Sequence, residues 1–233
     1  VIKEAVKVLN ALNIHQIVTK EALIGRTAFE STGSFLPAST IDLVNTSDAI
    51  LLGAVGANRI TDESTGSSTY CPGPEVSLLK LRRLMRCSIN IRPIKHYDSI
   101  NTNIPTSKTQ GTDILILREL TSGIYFGKPK DVRKLYTQRN SYTLEGFDTM
   151  KYSESEVKSI AHVAFKAARA RKKKILSVDK ANVLEVSKVW RSMVLDVSKC
   201  YNDVSLWNNY VDSAAIEILS NPRDFDVVLS GNL

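Results

Sequence analysis

Lys180 follows the apolar run Ile175-Leu176-Ser177-Val178 and precedes Ala181-Asn182-Val183-Leu184. A lysine at the end of a buried strand is partly desolvated. Desolvation disfavours the charged amine and makes it a usable general base. A second apolar run, Val204 to Tyr210, ends just before Asp212. A carboxylate at such a strand end is well placed to hold a divalent cation. Together the two residues suit abstraction of a proton from a hydroxyl polarised by a metal. Arg82, Arg92 and Arg118 stand on three separate stretches. The planar arginine fork binds carboxylate in bidentate fashion, so three convergent forks would suit a dianionic or trianionic substrate. Read one at a time, each is an ordinary surface or salt-bridge arginine. Tyr125, within Gly123-Ile124-Tyr125-Phe126-Gly127, reads on composition as an aromatic packed beneath a loop.

These residues need strands and helices in alternation. Apolar positions at helical spacing over Val1 to Asn13 and again over Val76 to Arg86 predict two helices. Ser47 to Gly53 reads as a buried strand closed by glycine, and Ile60 to Pro74, rich in Ser, Thr, Gly and Pro, as a loop. Ser88 to Pro93 and Asp113 to Leu117 are strand-like, and Tyr125 to Tyr152 reads as a projecting hairpin or arm. Ser153-Glu154-Ser155-Glu156 predicts a capped helix start, with the helix running through Arg171. Strand Lys174 to Val178, helix Val183 to Tyr201, strand Val204 to Tyr210, helix Asp212 to Ser220 and strand Phe225 to Ser230 complete an α/β pattern.

The ordered motifs resemble the isocitrate/isopropylmalate dehydrogenase family of metal-dependent β-decarboxylating dehydrogenases. They are Ser47 to Gly56, Leu78-Leu79-Lys80-Leu81-Arg82-Arg83, Asn90-Ile91-Arg92-Pro93, Arg118 to Gly127, the Lys180 segment and Phe225 to Asn232. The resemblance implies two domains around a large mixed sheet. Residues 1–87 would be part of a first, cofactor-side domain. Residues 88–233 would form a second, substrate and dimerisation domain with an arm around 126–152. It implies that Arg82, Arg92 and Arg118 clamp the malate carboxylates, and that Tyr125 is the general acid. Lys180 would be the base, or relay the proton through water, and reach across a homodimer interface. Asp212 would be a metal ligand and substrate contact given from the partner, and Asn182 would lie near substrate and nicotinamide. Glu75, Leu78 and Leu79 would set the substrate, because residues three and four apart share a helix face. An apolar wall there suits an isopropyl group.

The activity so implied is NAD-dependent oxidative decarboxylation of 3-isopropylmalate to 4-methyl-2-oxopentanoate in leucine biosynthesis, with magnesium or manganese. Tartrate, isocitrate or homoisocitrate dehydrogenation is the nearest alternative, and a non-catalytic basic binding module is the alternative from another class. Three departures concern the substrate loop: Ala57-Asn58-Arg59-Ile60 replaces the common Gly-Pro-Lys-Trp, Gly73 stands where an arginine normally precedes Pro-Glu, and Ser122 replaces a glycine.

The formal net charge of +7 fits anionic small substrates as well as nucleic acid. The densest basic run, Arg169 to Lys174, has no stacking aromatics beside it and reads as a solvated helix end. Gly53-Ala54-Val55-Gly56 is a turn rather than a dinucleotide fingerprint. The three cysteines, Cys71, Cys87 and Cys200, lack metal or disulfide spacing, and His15, His96 and His162 are isolated. No apolar run approaches membrane-spanning length. No nucleic-acid or membrane partner is expected. Val1 opens inside a helical pattern and Leu233 follows a strand directly, so both ends read as cut. A cytoplasmic location is expected, with an organellar one open because the true N-terminus is missing.

Overall fold

The computed structural model describes residues 1–12, 17–56, 59–61, 68–70, 73–99, 105–136 and 141–232. Asn13, His15, Ala57, Asn58, Cys71 and residues 137–140 of the arm lie outside the described residues. Contacts divide the chain into two compact units, Val1–Cys87 and Ser88–Leu233.

The first unit contains helices α1 (Ile2–Ala11), α2 (Arg26–Thr32) and α3 (Ala38–Asn45), strands β1 (Arg59–Thr61) and β2 (Ser68–Tyr70), and helix α4 (Gly73–Leu84). Helix α2 is bracketed by Gly25 and Gly33, both at positive φ, where glycine carries no Cβ penalty. Pro37 stands at the N-cap of α3, where its missing N–H costs nothing. Two expectations fail in this unit. Ser47 to Gly53 is not a buried strand: it runs as irregular chain, with Leu51 51% exposed. An apolar run becomes a strand only when a neighbour closes its ladder, and none of the described strands pairs with it. Conversely, Ile60 to Pro74 is not loop throughout, since β1 and β2 form a short antiparallel pair on either side of residues 62–67, which lie outside the described residues.

The second unit is built on a mixed five-stranded sheet. Its strands are β3 (Ile89–Lys95), β4 (Asp113–Glu119), β7 (Lys174–Asp179), β8 (Ser205–Tyr210) and β9 (Val227–Ser230), in the order β3-β4-β9-β7-β8. Only β3 is antiparallel to its neighbour; β4, β9, β7 and β8 run parallel. Between β3 and β4 lies the single turn α5 (Thr106–Thr109). After β4 a two-stranded antiparallel hairpin, β5 (Asp131–Tyr136) and β6 (Tyr142–Phe147), pairs with no other described strand. Helices α6 (Glu154–Arg169), α7 (Glu185–Ser198) and α8 (Val211–Ser220) and a 3-10 turn, Pro222–Asp224, complete the unit.

Strand alternation sorts the side chains into two layers. Leu117, Ile175, Val227 and Leu229 meet Val157, Ile160, Ala164 and Phe165 of α6 and Trp190 and Val194 of α7. The opposite face sends Ile114, Leu176, Val178 and Val228 against Ala214 and Phe225, with Ile116, Trp207 and Ile218 at the margin. Helix α6 starts on a full capping box: the Ser153 hydroxyl accepts from the Glu156 amide while the Glu156 carboxylate accepts from the Ser153 amide.

The basic run after α6 is more than a solvated end. Arg171 bonds the fully buried Asp226 through Nε at 2.8 Å and Asp113 through Nη2 at 2.9 Å. The bond to Asp113 holds that carboxyl below the usual carboxylate range. Arg169 pairs with Asp203, and Lys173 adopts a left-handed φ of 59° at the helix exit.

Candidate functional site

On α4, Glu75, Leu78, Leu79 and Arg82 fall at i, i+3, i+4 and i+7, which places them on one stripe of the helix. Pro74, Ser77 and Leu81 turn into the core, whereas Leu78, Leu79 and Arg82 stay half-buried and Glu75 is exposed. Gly73, at the start of α4, lies against the Phe35 ring, which stacks on Phe29 at 4.4 Å. A Cβ there would fall 2.1 Å from the ring, so the arginine that the resemblance leads one to expect would require the Phe35 side chain to move.

In the second unit, Asn90 of β3 lies opposite Arg118 of β4, and Arg92 opposite Ile116. Cross-strand partners point to the same face, so Asn90, Arg92 and Arg118 share the face that α8 covers. Arg92 Nε donates to Asn90 Oδ1 at 2.6 Å, which leaves its remaining donors for other partners. Arg118 Nη2 donates to Asn232 Oδ1 at 2.7 Å, and its Nε is buried with no partner. An unanswered guanidinium donor is costly unless a ligand oxygen meets it, and a carboxylate is the natural complement. The Arg118 guanidinium lies 5.8 Å from the centroid of the Tyr125 ring, so these two expected site residues are neighbours. Tyr125 is 47% exposed, and so does not pack beneath the loop as its composition suggests.

The turn that carries Tyr125 is shaped by groups that sequence reasoning passed over. Glu119, 2% exposed, accepts the amides of Thr121 at 2.6 Å and Ser122 at 3.0 Å. Asn232 Nδ2 donates to the Ser122 carbonyl at 2.8 Å, and the Asn232 amide donates to Tyr152 Oη. Burial pushes the Tyr152 phenol up to about 12, so it stays neutral at physiological pH. Gly123 sits at φ +78°, and a Cβ would lie 2.6 Å from that hydroxyl. The only sequence signal for this knot was a carboxylate beside Thr-Ser-Gly at a strand end.

At the far side of the sheet, β7 ends at Asp179 and the chain turns through Lys180, Ala181 and Asn182 into α7. Strand β8 ends at Tyr210 and α8 begins at once, carrying Asp212 in its first turn. Lys180 Nζ donates to Asp212 Oδ1 at 2.7 Å. That bond, first among the causes, holds the Asp212 carboxyl below the usual carboxylate range. Lys180 is therefore not merely desolvated at a strand end; it is ion-paired. Asn182 is exposed on the same turn. Arg118, Lys180 and Asp212 all stand at or just beyond the carboxyl ends of parallel strands, where open α/β sheets bind their ligands.

Among the described residues no three His, Cys, Asp or Glu side chains cluster as a metal site. Asp212, ionised at neutral pH and 63% exposed at its side chain, has the chemistry of one hard oxygen ligand for magnesium or manganese. Further donors would have to join it. Cys87 and Cys200 are exposed free thiols, and no described helix is long and apolar enough to cross a membrane.

The family model described as isocitrate/isopropylmalate dehydrogenase matches residues 1–233. A 3-isopropylmalate dehydrogenase of Burkholderia lata is 46% identical over 235 residues, covering 100% of this chain and 64% of the relative. One of Bordetella avium is 44% identical with the same coverage. The chain thus spans a little under two thirds of the length of these curated relatives. An isocitrate dehydrogenase from Methylococcus capsulatus superposes with a TM-score of 0.72 at 23% identity, over 98% of this chain and 62% of that one. A β-decarboxylating dehydrogenase from Thermococcus kodakarensis does so with 0.67 at 26%, over 99% and 60%. The α/β architecture with a mixed sheet is shared with these structures.

Proposed function

The chain belongs to the isocitrate/isopropylmalate dehydrogenase family, and from that premise we propose that the whole protein oxidatively decarboxylates 3-isopropylmalate to 4-methyl-2-oxopentanoate, with NAD as oxidant, in leucine biosynthesis. The observation that carries the proposal is that the candidate residues fall into two neighbouring pairs, Arg118 with Tyr125 for this chain's own site and Lys180 with Asp212 for the partner's. Relatives named 3-isopropylmalate dehydrogenase, identical at 44–46%, support the choice of substrate.

In this reading Arg82, Arg92 and Arg118 bind the two malate carboxylates, and the unpartnered Arg118 Nε finds its acceptor there. Leu78 and Leu79 on the α4 stripe meet the isopropyl group, and Glu75 borders them. Asp212 takes one position of a divalent-ion site. A magnesium or manganese ion held there would supply Lewis acidity at the 2-hydroxyl, and Asn182 would lie beside a bound NAD, which would supply the hydride acceptor. With the Asp212 carboxylate engaged by the metal ion instead of Lys180, the lysine would lose its proton and, as the neutral amine, take the hydroxyl proton directly or through water. Tyr125 would return one to carbon after carbon dioxide leaves. The positive charge of the arginine forks favours the charge that develops on the keto oxygen.

A homodimer follows, with Lys180 and Asp212 serving the partner's site. The hairpin supports it: Val132, Lys134, Tyr136, Tyr142 and Leu144 share one face, with Tyr136 72% and Leu144 66% exposed. The location proposed is the cytoplasm, in keeping with the bacterial relatives.

The test is NAD reduction by the whole protein with 3-isopropylmalate, isocitrate and tartrate in the presence of magnesium. Preference for 3-isopropylmalate is expected. Preference for another acid would overturn the roles of Leu78 and Leu79, and no turnover by a folded dimer would overturn the enzymatic reading.

A further inference from the structure

Asp179 is buried, with its side chain 1% exposed, yet it is not one of the residues the proposed reaction uses. Its carboxylate has three donors. Arg191 of α7 grips it with a bidentate fork, Nε to Oδ2 and Nη2 to Oδ1, each at 2.8 Å. The Ala181 amide, just past Lys180, donates to the same Oδ1 at 2.9 Å. The Arg191 guanidinium also lies over the Tyr210 ring, 5.2 Å from its centroid. Tyr210 is the register partner of Asp179 across β7 and β8, and it is the N-cap residue of α8. One guanidinium therefore touches the end of the strand that leads to Lys180 and the start of the helix that carries Asp212. Lys180 and Asp212 meet at 2.7 Å just beyond it.

We propose that Arg191 is a positioning residue for the Lys180–Asp212 pair. Through Asp179 it holds the turn that bears Lys180, and through the Tyr210 ring it steadies the first turn of α8. A guanidinium can perform both tasks at once: its fork binds the carboxylate while its charge lies over the ring. Lysine can keep the charge opposite Asp179, but it has neither the fork nor the flat face. Catalysis by a base depends on its placement to well within 1 Å, so a loosened turn costs rate more than substrate affinity. This inference rests on the dehydrogenase reading for the roles of Lys180 and Asp212, while the brace itself is independent of that reading.

The test is Arg191→Lys in the whole protein. It avoids the uncompensated buried charge that Arg191→Ala would leave. Three quantities are measured: kcat and KM for 3-isopropylmalate, hydrogen exchange of the Ala181 amide by NMR, and the melting temperature. A positioning role predicts that, well below the melting temperature, kcat falls about tenfold or more while KM changes by less than about threefold. It also predicts faster exchange at Ala181. Unchanged kcat overturns the proposal, even if the melting temperature drops. A fall in kcat with Ala181 still protected overturns it too, because the brace would not be the route. Should Arg191→Lys fail to fold, Tyr210→Leu keeps both members of the buried pair and removes the tyrosine's contacts with Arg191, with the same split between kcat and KM expected. An inactive wild-type protein would count against the dehydrogenase reading, and exchange at Ala181 alone would then decide the brace.

Discussion

At Asp212 the hydrogen bond from Lys180 is the largest of several influences that hold the carboxyl below its ordinary range. A carboxyl whose folded pKa is depressed keeps its pairing at neutral pH and loses it only as the pH falls through that lowered value. Lys180→Met should therefore raise the Asp212 midpoint toward the ordinary aspartate range, followed by the carboxyl carbon resonance in an NMR titration. An unmoved midpoint would remove Lys180 as the cause. The same variant should abolish turnover and leave the dimer folded; wild-type rates would end the assignment of Lys180 as base. Arg118→Lys removes a fork and a bond to Asn232. Loss of a charge-assisted contact worth about 1.5–3 kcal/mol predicts a KM for 3-isopropylmalate roughly 10- to 100-fold higher. The placement of Lys180 and Asp212 at strand ends was legible because each follows an apolar run. Their pairing was not, because it depends on β7 and β8 being neighbours. Nothing local marks Arg191 as the partner of Asp179, twelve positions away, since a buried ion pair is chosen by packing.

Among the elements, helix α6 was the most legible. Ser153 and Glu156 at cap spacing announce its start, and the capping box forms as read. The strand ending at Asp179 was nearly as clear, because its apolar content and β-branching agree with burial, whereas the strand ending at Tyr210 is only half-buried and carries no β-branched residue. Ser47 to Gly53 has similar composition but remains irregular, for composition does not supply a partner strand. The turn after β4 is held by contacts from distant parts of the chain. Tyr152, Asn232 and Glu119 converge on residues 121–123. Gly123→Ala combines a positive φ with a Cβ 2.6 Å from Tyr152 Oη. We expect it to cost about 1–3 kcal/mol or more of stability by denaturant titration, and to disturb Tyr125 with it. An Ala variant of wild-type stability would show that the turn relaxes freely.

For the whole molecule, the hairpin is the feature that a single chain leaves unexplained. Two strands with an apolar, exposed face are marginal alone and gain stability by covering that face. Tyr136→Asp combined with Leu144→Asp should convert the proposed dimer into a monomer by sedimentation velocity, with loss of turnover because Lys180 and Asp212 no longer reach the partner's site. A dimer of undiminished stability would remove the hairpin from the interface. The sequence by itself determined the alternation of strands and helices, the cap of α6 and the family, because periodicity, capping and ordered motifs are local and cumulative. Tertiary structure alone decided that Arg92 and Arg118 share a sheet face, that Lys180 pairs with Asp212, and that the Phe35 ring packs against Gly73. Strand order, register and close packing bring together residues far apart in the chain, and no local pattern encodes which of them will touch.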